Sequence, residues 1–282
     1  YDKKLKLKRN SILRKYKKYK FYRTDIKNKK KIFEIFKNNK FKLVINLAAQ
    51  AGVQYSIKNP YVYAETNIFG FINILEACKK YHVKKILYAS SSSIYGSNKN
   101  YPFKEYHKTD NPISLYAATK KSNELIANVY SHIFNIKLIG LRFFTVYGPW
   151  GRPDMSLFIF TKNILKNKKI IVYNNGEMYR DFTYIDDVVD VVYKLSLSKK
   201  ITKNNYIFNI SGSRSIKLNY YIKLIEQFTN KKAKKIIRKQ LKSDVKKTIS
   251  STSHLKKVIY KKQYTKIENG IQNFVKWFKK YY

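Results

Sequence analysis

The sequence predicts an α/β protein organised on a parallel sheet, and three features carry that prediction. Short apolar runs rich in β-branched residues recur at 42–49 (KLVINLAA), 84–90 (KKILYAS) and 137–144 (KLIGLRFF), as expected of strands buried on both faces. Helical patterns lie between them, over 60–81, which opens on Pro60, and over 116–134; proline is favoured in a first helical turn. Strand–helix–strand order at this spacing requires crossover connections and hence a parallel sheet. A chain of 282 residues with 44% hydrophobic content suits one large domain or two intimately joined ones and excludes a disordered polymer.

The flanking segments follow the same rules. Residues 1–20 read as a basic helix, 21–24 (FYRT) as a short strand ending at Asp25-Ile26, and 29–39 as a helix with Ile32, Phe33, Ile35 and Phe36 towards the core. After about residue 150 the order loosens into a helix over 154–166, a strand over 169–173, a helix over 185–197 and a strand over 206–211. In the tail, Thr265 and Glu268 stand at capping-box spacing. Ile267, Ile271, Phe274, Val275 and Phe278 then form one apolar face of a final helix.

The formal net charge is +43. The basic residues are almost all lysine, run the whole length, and accompany many Asn, Ile and Tyr against only 9 Gly and 5 Pro. Charge spread in this way reads as a solvated, compositionally biased surface rather than a nucleic-acid face, so no specific nucleic-acid partner is expected, although anions of any kind are attracted. The one cysteine, Cys78, excludes an internal disulfide and suits a reducing compartment. No apolar run reaches the roughly 18 residues that cross a bilayer, and YDKKLKLKRN lacks the apolar core of a secretory signal. A cytoplasmic protein without membrane insertion is the expectation.

Chemistry enters at Tyr116 and Lys120, a Y-x-x-x-K element on a predicted helix. Residues at i and i+4 share a face about 5–6 Å apart at Cβ. A lysine there is expected to lower the phenol pKa and so make the tyrosine a general base towards an alcohol. Among 26 tyrosines and so many lysines, the pair alone reads more readily as an ordinary surface pair. Its surroundings add weight. The strand over 84–90 runs into four serines at 90–93, then IYG. Hydroxyls at the carboxyl end of a parallel strand stand where such sheets bind ligands, although serine also forms plain turns. NPISLYAATK (111–120) returns the tyrosine helix to that edge, 141–155 brings Thr145 and Arg152, and 179–187 brings Arg180. No G-x-G-x-x-G turn occurs; the first glycine is Gly52.

Five stretches carry a resemblance: NLAAQAGVQYSIKNPYVYAETNIFGFINILEAC, YASSSSIYG, LYAATKKSNELIA, LRFFTVYGPWGRPDM and RDFTYIDDVVDVV. Through them the chain resembles the extended short-chain dehydrogenase/reductases that act as NAD-dependent epimerases and dehydratases, and most of all their UDP-glucuronate 4-epimerase group. The family pattern begins before residue 1, so the chain reads as an N-terminally shortened member. The resemblance implies a Rossmann-like doubly wound sheet without its first βα unit and a smaller C-terminal substrate-binding domain. The NAD-binding domain would comprise 1–151 and 182–211, and the substrate domain 152–181 and 212–282.

The resemblance also implies site roles. Tyr116 is the base, Lys120 tunes it and contacts the nicotinamide ribose, and Ser91 hydrogen-bonds the sugar 4-hydroxyl. Asp25 and Ile26 lie beside the adenine, and Ala48 and Ala49 near the pyrophosphate. Asn67 and Phe144 are on the cofactor side, while Tyr173 and Arg180 lie at the uracil and diphosphate of a UDP-sugar. The implied reaction is 4-epimerisation of UDP-glucuronate to UDP-galacturonate through a 4-keto sugar, with NAD retained. Related dehydratases and decarboxylases carry acids after the catalytic hydroxyl; here Ser92 and Ser93 follow. Acids would repel a C6 carboxylate, whereas hydroxyls donate to it, so Ser92, Ser93, Thr145 and Arg152 are the expected carboxylate pocket. No metal is expected. Towards the C-terminus the nucleotide-end pattern departs, with Ser243-Asp244-Val245 in place of G-D-V and Ser250-Ser251 in place of Ala-Asp. A homodimer through helices 60–80 and 116–134 is implied. Competing readings are another nucleotide sugar, an inactive remnant unable to hold NAD, and a basic nucleic-acid binder.

Overall fold

The computed structural model describes residues 3–241, 244–260 and 263–282. The elements run α1 (Lys3–Leu13), α2 (Lys29–Lys37), β1 (Val44–Asn46), α3 (Val53–Lys58), α4 (Pro60–Tyr63), a π-helical stretch (Ala64–Phe69), α5 (Gly70–Lys80), β2 (Lys85–Ser91), α6 (Leu115–Phe134), β3 (Lys137–Phe143) and β4 (Thr145–Tyr147). They continue with α7 (Ser156–Leu165), β5 (Lys169–Tyr173), β6 (Tyr179–Tyr184), α8 (Ile185–Leu197), β7 (Asn205–Ile210), β8 (Ser215–Lys217), α9 (Leu218–Thr229), β9 (Lys234–Arg238), α10 (Ser253–Val258) and α11 (Ile267–Tyr281).

The predicted parallel sheet is present in the order β1-β2-β3-β7, every pair parallel. Alternate residues of β2 face opposite ways, so its two faces feed two cores. Ile86 and Tyr88 pack with Ile32 and Phe36 of α2, Phe71 and Leu75 of α5 and Ala127 of α6. Leu87 packs with Val188, Val191 and Leu195 of α8 and Leu255 of α10. Helices on both faces make the sheet doubly wound. A third core joins Phe158 and Ile164 of α7, Val172 of β5, Phe182 of β6, Tyr221 and Ile225 of α9, and Phe274 and Phe278 of α11, with Leu5 of α1 among them.

Several expectations are corrected. The 21–24 segment is not a strand: an extended segment becomes one only by pairing, and it pairs with none of the described strands. Phe21 and Tyr22 are left exposed. The strand expected over 42–49 is confined to Val44–Asn46, paired on one side only, with Ile45 and Leu47 exposed. The helix over 1–20 stops at Leu13. The capping box at Thr265 does not form, because α11 starts after an extended Lys266; the Thr265 N–H donates to Asp187 Oδ2 at 2.8 Å, and Glu268 accepts from the Tyr220 hydroxyl instead. The three-stranded sheet β4-β6-β8 was not anticipated; two of its strands are three residues long, too short to show a period.

Local chemistry places the tyrosine helix. Ser114 caps α6 by accepting from the Ala117 N–H at 3.2 Å, a contribution of about 1 kcal/mol. Asn135 closes the other end in the left-handed conformation. Gly96, at φ +53°, ends the IYG turn, and a Cβ there would collide with the Asn111 carbonyl, so glycine allows the 111–114 approach to α6 to lie against the end of β2.

Candidate active site

Ser91 ends β2, and its Oγ accepts from the Ser93 N–H at 3.2 Å and from Ser93 Oγ at 2.9 Å. Tyr116 stands one residue into α6. Burial pushes its phenol pKa up, while a hydrogen bond with Ser91 and the charge of Arg152 pull it down. Lys120, one turn on, is buried and donates to the Ala89 carbonyl at 2.8 Å; burial lowers its pKa to about 8. The Lys120 ammonium is directed to the Ala89 carbonyl of β2, and Arg152 is a further cation whose charge favours the Tyr116 phenolate. Ser91, Tyr116 and Lys120 are thus brought together at the carboxyl end of β2.

Three adjoining cavities are lined by other residues expected at the site, while Ser91, Tyr116 and Lys120 are not among their lining residues. The first, about 580 Å³, is walled by Arg23, Thr24, Asp25, Ile26, Ala48, Ala49 and Thr66. The second, about 1040 Å³, shares Ala49 and is bounded by Gln50, Gly52, Tyr55, Arg152, Asp154 and Asp244. The third, about 530 Å³, shares Asp154 and Asp244 and adds Thr145, Tyr173 and Arg180. Small side chains at 48 and 49 face the first cavity, and Ala49 also faces the second. Tyr116 is linked to the wall of the second cavity through Tyr63, whose hydroxyl donates to the Ala51 carbonyl at 2.9 Å and whose ring packs edge-on against that of Tyr116 at 6.2 Å between centroids.

Other expected residues sit differently. Asn67 lies in the π-helical stretch, a form frequent at functional sites, with its amide engaged by the protein. It accepts from the Gln50 N–H at 2.8 Å and donates to the Gln50 carbonyl and to Thr119 Oγ1, both at 3.0 Å. It holds the wall of the second cavity and lines none of the three. Phe144 is buried against Tyr95 and Phe103 and likewise lines none. Ser92 and Ser93 are half-buried on the turn after β2. Arg152 and Arg180 pair with Asp154 and Asp244. Ser243 lies outside the described residues. Ser250 donates its N–H to Asp181 Oδ2 at 3.1 Å, and the Ser251 N–H donates to the Phe103 carbonyl at 2.8 Å.

Sequence reasoning missed the scaffold beneath the centre. Glu124, one turn beyond Lys120, takes Arg142 of β3 in a two-pronged ion pair, Nε–Oε1 and Nη2–Oε2 both 2.9 Å, and accepts from Ser90 Oγ at 2.6 Å. Arg142 also donates to the Tyr95 hydroxyl at 2.9 Å. Buried Asp181 was likewise missed. Burial pushes its carboxyl from 3.8 up to about 7, against hydrogen bonds that lower it. A folded-state pKa above the unfolded one stabilises fully below the lower value and is lost as pH rises through the upper one. Asp181→Asn is thus expected to remove a decline in stability between about pH 4 and 7. Urea midpoints across that range check it, and parallel curves for the two proteins would reject it.

Comparison with known proteins identifies the family. The sequence profile of the NAD dependent epimerase/dehydratase family matches residues 3–211. An uncharacterised protein of Methanocaldococcus jannaschii is 47% identical, over 99% of this chain and 84% of its own. UDP-glucuronate 4-epimerase 4 of Arabidopsis thaliana is 42% identical over 92% of this chain, which spans 62% of the plant protein. The crystal structure of UDP-glucuronic acid 4-epimerase from Bacillus cereus, in complex with UDP-glucuronic acid and NAD, superposes with a TM-score of 0.92 at 29% identity, covering 99% of this chain and 87% of that one. The chain belongs to the NAD-dependent epimerase/dehydratase family, as an isomerase of the epimerase kind with NAD as its cofactor.

Proposed function

We propose that the protein is a UDP-sugar 4-epimerase whose substrate is a uronate, converting UDP-glucuronate to UDP-galacturonate. The observation that carries this reading is Arg152, which lines the second cavity and whose charge favours the Tyr116 phenolate, so a cation stands near the proposed reacting centre. Hydroxyls at Ser92 and Ser93 follow Ser91 where an acid would repel a carboxylate. In this reading Tyr116 accepts the proton of the sugar 4-hydroxyl and Ser91 orients that hydroxyl. Ser92, Ser93, Thr145 and Arg152 hold the C6 carboxylate, which keeps the β-keto acid formed on oxidation from losing CO2. Tyr173 and Arg180 take the uridine and diphosphate end.

The residues present fit NAD. The first cavity offers the Asp25 carboxylate to ribose or adenine donors, an apolar Ile26 wall, and the small Ala48 and Ala49 for close approach. Lys120 and Tyr116 would hold the nicotinamide end. When bound, NAD supplies reversible oxidation at C4. We place the NAD-binding unit at 1–151 and 182–211 and the substrate unit at 152–181 and 212–282.

The test compares kcat/KM for UDP-glucuronate and UDP-glucose. A charge-assisted bond contributes roughly 1.5–3 kcal/mol, so a preference for the uronate of about tenfold or more is expected. A preference for the neutral sugar would sink the reading.

We also propose a homodimer through the 60–80 and 116–134 helices. Leu125, Val129 and Ile133 form an exposed stripe at four-residue spacing on α6, and Tyr61 and Phe69 are exposed on the other segment; such patches mark interfaces. Leu125→Lys with Val129→Lys should halve the mass measured by light scattering. A monomeric parent protein would refute the proposal. Among the described residues no helix is long and apolar enough to cross a membrane.

A further inference from the structure

Both arginines that the proposed site offers to a ligand anion are held by an acid of the chain itself. Arg152 Nε and Nη2 donate to the two oxygens of Asp154, at 3.1 and 2.6 Å. Arg180 Nη2 donates to Asp244 Oδ1 at 2.6 Å. Neither acid is a bystander: Asp154 and Asp244 each line both the second and the third cavity. Two carboxylates therefore stand where two anionic groups of the substrate are to be received.

We propose that Asp154 and Asp244 are specificity-determining residues that compete with ligand anions for Arg152 and Arg180, Asp154 against the sugar carboxylate and Asp244 against the diphosphate. The proposal rests on the uronate reading for Asp154, but not for Asp244. Its physical sense lies in the net charge of +43. An arginine-lined cleft in such a field collects anions without distinction. An in-chain carboxylate sets a threshold that a free phosphate does not easily pass. A nucleotide-borne anion passes it, because its other contacts hold it in place at high effective concentration.

The threshold is low enough to be crossed. The Arg152–Asp154 side chains are 34% and 49% exposed, and the Arg180–Asp244 side chains 19% and 37%. Pairs this open to water are weak and salt-screened. Removing the acid's charge should therefore tighten anion binding by roughly two- to fivefold, not by orders of magnitude. Asparagine keeps the size and a hydrogen-bonding oxygen, so the loops that carry the acids are left supported.

Calorimetric titration of the full chain, supplied with NAD, tests this with UDP-glucuronate, UDP-glucose and UDP. Asp154→Asn should tighten UDP-glucuronate about two- to fivefold and leave UDP-glucose and UDP as in the parent. Asp244→Asn should tighten all three alike, UDP included. Both gains should shrink in high salt, which a purely structural effect would not do. Weaker or unchanged binding of UDP-glucuronate by Asp154→Asn, or equal tightening of UDP-glucose, would overturn the role of Asp154. Unchanged or weaker UDP binding by Asp244→Asn would overturn the role of Asp244. A parent protein that itself prefers UDP-glucose would contradict the uronate reading instead, and the Asp244→Asn titration with UDP then decides the competition on its own.

Discussion

Tyr116→Phe is expected to lower kcat for epimerisation by about 10²–10⁴-fold, the usual contribution of a positioned general base, with little change in stability or in UDP-sugar affinity. The substitution deletes one oxygen. The ring keeps its edge-on contact with Tyr63, and the Ser114 cap and the Lys120 bond to Ala89 do not involve the phenol. Loss therefore falls on the proton-transfer step and not on the scaffold. Progress curves with UDP-glucuronate, together with a melting curve, check it. A variant that retains more than a tenth of parental kcat would remove Tyr116 from its proposed role. Ser91→Ala is expected to act in the same direction but less strongly, since it removes a hydroxyl proposed to orient the reacting group and one that lowers the Tyr116 pKa.

The largest expected effect on stability belongs to Glu124. Its side chain is 7% exposed and its partner Arg142 5%, so both charges are desolvated. Glu124→Ala leaves the guanidinium buried without its counter-charge, a defect that costs about 3–5 kcal/mol. It also releases Ser90 and loosens α6 from β2 and β3, and so displaces Tyr116 and Lys120. Urea denaturation should show a lower midpoint at unchanged slope, with epimerase activity falling at temperatures where the parent is stable. Replacing both partners by leucine should recover part of the loss, because no uncompensated charge remains. A midpoint for Glu124→Ala within error of the parent would show that α6 is held by its apolar face alone.

What was legible in the sequence follows from how local the cause is. The helix over 116–134 was legible from its place between two strand-like runs, while the residues that bound it, Ser114 as cap and Asn135 in the left-handed conformation, emerge from the structure. The strands over 84–90 and 137–144 were legible because burial on both faces leaves an unbroken apolar run. The strand expected at 21–24 failed because strand formation is decided by a partner far away in sequence. The Glu124–Arg142 pair joins a helix to a strand 18 residues on, and no spacing rule connects such positions. The direction of Lys120 was hidden for a related reason. Position i+4 fixes the face but not the acceptor, and the carbonyl of Ala89 takes the ammonium. Arg152 was picked out as a residue for the substrate carboxylate; its electrostatic influence on Tyr116 joins positions 36 residues apart, which no spacing rule connects.

The most direct test of the central claim is to incubate the full chain and NAD with UDP-glucuronate and to follow the sugar by proton NMR. The account predicts a second UDP-uronate, inverted at C4 alone, approaching equilibrium with the carboxylate retained. A UDP-pentose with release of CO2, or turnover of UDP-glucose in preference to UDP-glucuronate, would contradict it.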